Sequence, residues 1–197
     1  MKQLFLYDFD GTITNKDTLF DFLKFYASNV YYYGGMFIFS PLFVLAKFGF
    51  VKKAIVKQRF ISFFLKVKSK VELSKLSASY LQHVLDKEIL RRSALSSINE
   101  NKQRGVVYIV SASLDIWLKA ISEHIGVGLI CTNANFENDV FDGKFSTPNC
   151  NNDEKPKRVA KELQLNTYGQ ISYFGDSKGD FAMKAIVTNF HYRIFEE

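Results

Sequence analysis

Gln3-Leu4-Phe5-Leu6-Tyr7-Asp8-Phe9, followed at once by Asp10-Gly11-Thr12, is the stretch on which the fold turns. It is apolar and aromatic with no polar alternation, and it halts at a turn signal. That pattern predicts a strand covered on both faces, as in a parallel sheet. Working outward, Val106-Val107-Tyr108-Ile109-Val110 repeats the pattern and ends at Ser111-Ala112-Ser113. Gly128-Leu129-Ile130-Cys131 and Ile171-Ser172-Tyr173-Phe174 follow, the second ending at Gly175-Asp176. Helical stretches are expected over 93–104, 114–125, 156–165 and 178–186. Strands alternating with helices of this length predict an α/β fold built on a parallel sheet with right-handed crossovers. Residues 140–145 read as a small hairpin inserted in that scheme.

The first strand does not lead directly to the second. Residues 14–90 intervene and read as mostly helical, starting at a cap formed by Asp17 or Thr18. They are expected to form a helical cap over the carboxyl ends of the strands. The core would then consist of residues 1–13 and 91–197.

Phe25 to Ala46 is a run of 22 uncharged residues, long enough to cross a bilayer. A crossing there would put Asp8 and residues 47–197 on opposite sides, so the strands bearing Asp8 and Asp176 could not share a sheet. Two readings remain for residues 36–46: an apolar helix packed in the cap, or a segment dipping into the membrane interface. Lys47, Lys52, Lys53, Lys57, Arg59, Lys66, Lys68, Lys70 and Lys75 follow, against only Glu72. They would suit a solvated face or anionic head groups. The net charge of +6 admits phosphorylated or anionic partners. No nucleic-acid-reading motif accompanies it, and the aromatics read as core, so nucleic acid is not expected.

Cys131 and Cys150 lack CxxC spacing, which points to reduced thiols and a cytoplasmic setting. His83, His124 and His191 match no metal spacing. No signal peptide is read at the N-terminus, because Asp8 and Asp10 interrupt the apolar run.

Four segments place polar groups at the carboxyl ends of strands, where open α/β sheets hold ligands. Asp8 and Asp10 stand two apart on an extended segment and so face the same way. Two carboxylates that close need a shared cation or proton, and a hard ion such as magnesium suits oxygen donors beside phosphate. Asp8 could then attack phosphorus, with Asp10 acting as proton donor and acceptor. Ser111, with the amides of Ala112 and Ser113, could hold phosphate oxygens, or Ser111 or Ser113 could simply cap the next helix. Lys155, before Pro156, is expected at a helix entrance where its ammonium could neutralise charge; Lys157 is the rival. Asp176 could ligate the metal and Asp180 could hold its waters or orient Lys155.

In order and spacing these segments resemble the haloacid dehalogenase superfamily. Asp8-Phe-Asp-Gly-Thr-Ile-Thr is similar to its first motif, Ser111 to its second, Lys155 to its third, and Gly175-Asp-Ser-Lys-Gly-Asp to its fourth. Insertion between the first two motifs resembles subfamily IB, the helical-cap branch with phosphoserine phosphatase. The long aromatic cap is similar to that of small hydrolases related to phosphatidylglycerophosphate phosphatase. The resemblance implies a Rossmann-like core and a magnesium-dependent phosphatase with an aspartyl-phosphate on Asp8. It implies metal binding by the carboxylates of Asp8 and Asp176 and the backbone carbonyl of Asp10. Phosphate binding falls to Gly11, Thr12, Ser111, Ala112 and Lys155, and the supporting acid is Asp180. The substrate would be a small phosphomonoester or a lipid-linked one at a membrane surface, with a silent phosphate-binding module as the contrasting alternative. Asn152 departs from the pattern, since relatives often carry glycine before the third-motif lysine.

Overall fold

The computed structural model describes residues 2–195. Strand β1 (Lys2–Tyr7) is the centre of a parallel sheet. Its neighbours are β2 (Gly105–Leu114) and β6 (Tyr168–Gly175), with β3 (Gly128–Thr132) and β7 (Asn189–Tyr192) outside them, in the order β3-β2-β1-β6-β7. Register is set by pairs such as Leu6 with Tyr108 and Leu6 with Tyr173. The expected continuous burial of β1 divides by side. Leu4 and Leu6 pack with Val110, Ile130, Val159 and Ile171, whereas Phe5, Tyr7 and Phe9 join the larger cluster that runs up into the cap. All five are at most 4% exposed, which a strand inside a two-sided sheet requires.

Between β1 and α5 (Arg92–Lys102) lie four helices: α1 (Thr18–Tyr26), α2 (Asn29–Lys47), α3 (Lys53–Leu65) and α4 (Lys70–Asp86). The chain enters and leaves this insertion through two adjacent extended segments. Thr14 bridges Leu90, Asn15 N–H donates to the Ile89 carbonyl, and Arg91 N–H donates to that of Ile13. A single apolar cluster joins the insertion to the sheet: Phe22 stacks on Trp117 of α6 (Asp115–Ile125) at 5.0 Å and meets Tyr80 edge-on at 5.0 Å.

Three local expectations are corrected. Residues 140–145 are not a hairpin by themselves but strand β5 (Val140–Phe145), paired antiparallel with β4 (Ala134–Glu137). This hairpin reaches up to the insertion, where Val67 and Phe141 exchange backbone bonds through Lys68 and Lys70 N–H meets the Asp139 carbonyl. Strand β7 was not anticipated, because Asn189-Phe-His-Tyr mixes polar and aromatic residues at a sheet edge. Helix α7 (Glu154–Glu162) starts ahead of Pro156, so Lys155 lies inside its first turn instead of before it. The residue before proline is biased away from helical geometry, but here buried ion pairs of its side chain outweigh that bias.

Candidate active site

Asp8 follows the last residue of β1, and its N–H is held by the Phe174 carbonyl of β6 at 2.8 Å. Gly11 then turns the chain with φ +81°, a conformation that favours glycine. A Cβ at that position would also collide with the Asp176 carboxylate. The tight turn therefore lets the first and fourth segments meet.

Asp8, Asp10, Ser111, Ala112, Lys155 and Asp176 all line one cavity of about 480 Å³ under the helical insertion. The structure brings these together from four distant parts of the chain. Gly11 and Thr12 do not join them. They line a small cleft behind, where the Thr12 hydroxyl donates to Asp176 Oδ1 at 3.3 Å and the Gly11 N–H is directed to Thr14 Oγ1. In this position Thr12 orients Asp176 and Gly11 shapes the turn.

Lys155, 2% exposed, is the hub of the cavity floor. Its Nζ donates to Asp8 Oδ1 at 2.7 Å, to the Tyr173 hydroxyl at 2.9 Å, and to Asp180 Oδ1. Asp180 is fully buried; its other oxygen accepts from the N–H and hydroxyl of Ser177 at 3.0 and 2.8 Å. Both Asp180 oxygens are thereby committed to orienting neighbours. Lys157, the rival lysine, is exposed.

Charge in this floor is unbalanced. Burial pushes the Asp8 carboxyl up to about 7, against the pull of Lys155 and with the push of Asp180. Burial and Asp180 also raise Asp176. Burial works against the charge of Lys155, yet Asp8 and Asp180 hold it above the usual lysine range. Asp180 stays below the usual carboxylate range because Lys155, Tyr173 and Ser177 outweigh the cost of its burial. Carboxylate oxygens of Asp8, Asp176 and Asp180 lie within 4.8 Å of one another. An all-oxygen donor set with excess negative charge and little exposure fits a hard divalent cation. Asp8 and Asp176 would hold it, since the oxygens of Asp180 are already engaged.

Asp10 is tied to the insertion as well as to the core. Its Oδ1 accepts from the Thr18 N–H at 2.7 Å and the Thr18 hydroxyl at 2.6 Å, and its Oδ2 accepts from the Ser113 hydroxyl at 2.6 Å. Asp17, the other candidate cap, accepts from Leu19 N–H and starts α1. Ser111 Oγ accepts from Ser113 N–H at 3.0 Å, and α6 begins at Asp115 with Leu114 at its N-cap position and no side-chain cap. Neither serine is a helix cap. Asn152, where relatives often have glycine, adopts φ +49°, the left-handed region that asparagine tolerates best after glycine.

Sequence reasoning missed Lys57, which projects from α3 into the cavity and donates to the Ala112 carbonyl at 2.8 Å. Burial lowers its basicity, and Asp10 and Asp17 oppose that. It stood among nine basic residues with nothing in the local pattern to single it out. Tyr173 was read only as strand apolar filling, and its hydroxyl is invisible to that reading.

The family model described as haloacid dehalogenase-like hydrolase matches residues 5–184. No curated protein matches the sequence. Among solved structures, a Bordetella pertussis Tohama I protein with unknown function superposes with TM-score 0.82 at 18% identity, covering 97% of this chain and 90% of that one. A substrate-bound phosphoserine phosphatase complex gives 0.68 at 19%, covering 99% and 89%. A phosphoserine phosphohydrolase-like protein from Francisella tularensis gives 0.66 at 16%, covering 96% and 86%. At these identities the structural likenesses speak to fold.

Proposed function

Since the chain belongs to the haloacid dehalogenase-like hydrolases, we propose that it is a magnesium-dependent phosphomonoester phosphatase that forms an aspartyl-phosphate on Asp8. The observation that carries this reading is the Lys155 hub, which fixes Asp8 Oδ1 and leaves the other carboxylate oxygen for bonding to phosphorus. Asp8 attacks the phosphoryl group, the ester bond to the alcohol breaks, and Asp10 gives the departing oxygen its proton. Asp10 then takes a proton from water, which attacks the same phosphorus and releases inorganic phosphate from Asp8. Thr18 and Ser113 aim the Asp10 carboxylate, so the acid and base is oriented partly by the first cap helix. Ser111 and Lys155 meet the phosphate oxygens from the floor, with the Ala112 segment beside them, and Asp180 holds Lys155. Magnesium, bound by the Asp8 and Asp176 carboxylates and the Asp10 backbone carbonyl as the family resemblance implies, would reduce repulsion between Asp8 and the phosphate.

Residues 14–90 form the cap and 1–13 with 91–197 the catalytic core in this reading, because the paired crossings at Ile13–Asn15 and Ile89–Arg91 mark where the chain enters and leaves the insertion. The cap side of the cavity favours an amphiphilic or lipid-linked phosphomonoester over a wholly hydrophilic one. Leu19, Phe20, Phe43 and Val56 stand there with Lys47, Lys53 and Lys57. Free, buried thiols at Cys131 and Cys150 go with a cytoplasmic setting. The test is phosphate release from a panel of phosphomonoesters with magnesium, spanning aryl, amino-acid, short-chain and lipid phosphates. Turnover that disappears in Asp8→Asn is expected. A chain that releases no phosphate from any of them would be a silent binding module, and the reading would fall.

A further inference from the structure

Helix α2 is apolar on both sides, and only one side is covered. Tyr32, Gly35, Phe39 and Ala46 face inward, with Gly35 letting the helix close on Phe63 and Phe64 of α3. At helical spacing on the opposite side stand Val30, Phe37, Ile38, Val44, Leu45 and Phe48, all exposed. Val30 is 87%, Phe37 81% and Phe48 70% accessible, and Phe50 just beyond is 78%. Pro41, on the same stripe, is exposed too. A helix that is hydrophobic all round normally belongs in a core or in lipid, and a contiguous exposed apolar patch marks a surface built to be covered.

Charge indicates what covers it. From Phe22 to Val71 the chain holds nine lysines and arginines and no aspartate or glutamate. Lys47, Lys52 and Lys53 are exposed around the C-terminal end of the stripe. An apolar stripe free of charge with a basic rim is the composition of an interfacial helix lying on anionic lipid. A second copy of this chain would bring the same positive rim against itself, which like charges oppose.

We infer that α2 and the Phe48–Lys53 loop form a docking surface for an anionic phospholipid bilayer. Residues Phe37, Phe48 and Phe50 enter the head-group boundary, and Lys52 meets lipid phosphates. The same end of α2 supplies Phe43, Ala46 and Lys47 to the cavity rim, joined by Lys53 and Ala54 from α3. Docking therefore turns the cavity mouth toward the lipid surface, so that a membrane-resident phosphomonoester is offered to Asp8 phosphate first. That orientation of substrate rests on the function proposed above; the docking surface itself does not.

Co-sedimentation with phosphatidylcholine:phosphatidylglycerol vesicles, beside pure phosphatidylcholine vesicles, tests it by binding and not by turnover. The native chain is expected in the pellet with the anionic vesicles at low salt, and largely released at high salt. The variant F37S/F48S/F50S should bind at least tenfold more weakly, and Lys52→Glu at least about fivefold more weakly, the weight of one surface lysine. Both should keep their melting temperature and their turnover of a soluble aryl phosphate in vesicle-free buffer. A native chain that stays in the supernatant with anionic vesicles at low salt overturns the proposal. So does a dimer in sedimentation velocity that F37S/F48S/F50S converts to monomer, because a second copy would then cover the stripe. Pelleting by a chain that hydrolyses no ester would sink the proposed function and leave the docking surface standing.

Discussion

Replacing Lys155 with methionine should destabilise the metal-free protein, and more at alkaline pH than at acid pH. Lys155 is 2% exposed and is the cation shared by Asp8 and Asp180, themselves 7% and 0% exposed. Methionine has nearly the same reach, so little packing volume is lost. What remains is two buried carboxylates without a counter-charge, a change that costs about 3–5 kcal/mol when one partner of a buried pair is removed. For a domain of this size each kcal/mol shifts the melting temperature by roughly 2–4 °C, which makes the expected loss about 6–20 °C near pH 8. The direction with pH follows from the groups left behind. In the native chain Lys155 lowers both Asp8 and Asp180. Without it, burial holds the folded pKa of Asp8 further above its unfolded value, and that of Asp180 moves up as well because its strongest lowering partner is gone. Such groups lose stability as pH rises from about 4 through the folded values, and regain it when protonated. The gap between variant and native chain should therefore narrow near pH 5. Differential scanning calorimetry in chelator at both pH values reads it directly. A loss under about 2 °C, or a gap that does not narrow on acidification, would refute the buried charge network as described.

Asp10→Asn should lower steady-state turnover by about 100- to 10,000-fold, the usual reach of general acid–base catalysis. With an aryl phosphate it should still give one burst of phenolate per enzyme, since a good leaving group needs no proton; absence of the burst would count against the role given to Asp10. Lys57→Met removes a cation poised over the cavity. Losing one charged hydrogen bond to substrate should raise KM by about 10- to 100-fold with a smaller change in kcat. An unchanged KM would dissociate Lys57 from binding. Magnesium at about a hundredfold excess over its Kd should stabilise the chelator-treated chain by about 2.7 kcal/mol. That affinity should weaken as pH falls below about 7, where Asp8 takes up a proton instead. Thermal shift across pH checks both statements, and pH-independent magnesium affinity would contradict Asp8 as a ligand.

Much of this site could be read from residue order because strand ends dictate it. An apolar run that stops at an aspartate places that side chain at the carboxyl edge of a parallel sheet, and Asp8 and Asp176 announce themselves in this way. Asp180 needed only the short path from Ser177 into the 3-10 helix Lys178–Ala185. Lys155 was legible as a residue but not as geometry. Nothing local reveals that its ammonium is shared among Asp8, Asp180 and Tyr173, since those contacts span 147, 25 and 18 positions. Thr12 shows the opposite limit: its motif position suggested substrate contact, and nothing in the sequence signals that the turn at Gly11 directs its hydroxyl to Asp176. Lys57 and Arg59 look alike in sequence; only the rotation of α3 against the cavity separates a basic residue facing the site from an exposed one. The uncharged run 25–46 was likewise ambiguous. Its periodicity is hidden because both faces of α2 are apolar, and packing alone shows which face remains open.

The covalent step offers the most direct test. The chain would be mixed with a phosphomonoester labelled in its phosphate, quenched in acid within one turnover, and mapped by peptide sequencing. Label should reside on Asp8, be released by hydroxylamine as an acyl phosphate is, and be missing in Asp8→Asn. Rapid phosphate release by a chain that never carries label, or label on another residue, would contradict the account at its root.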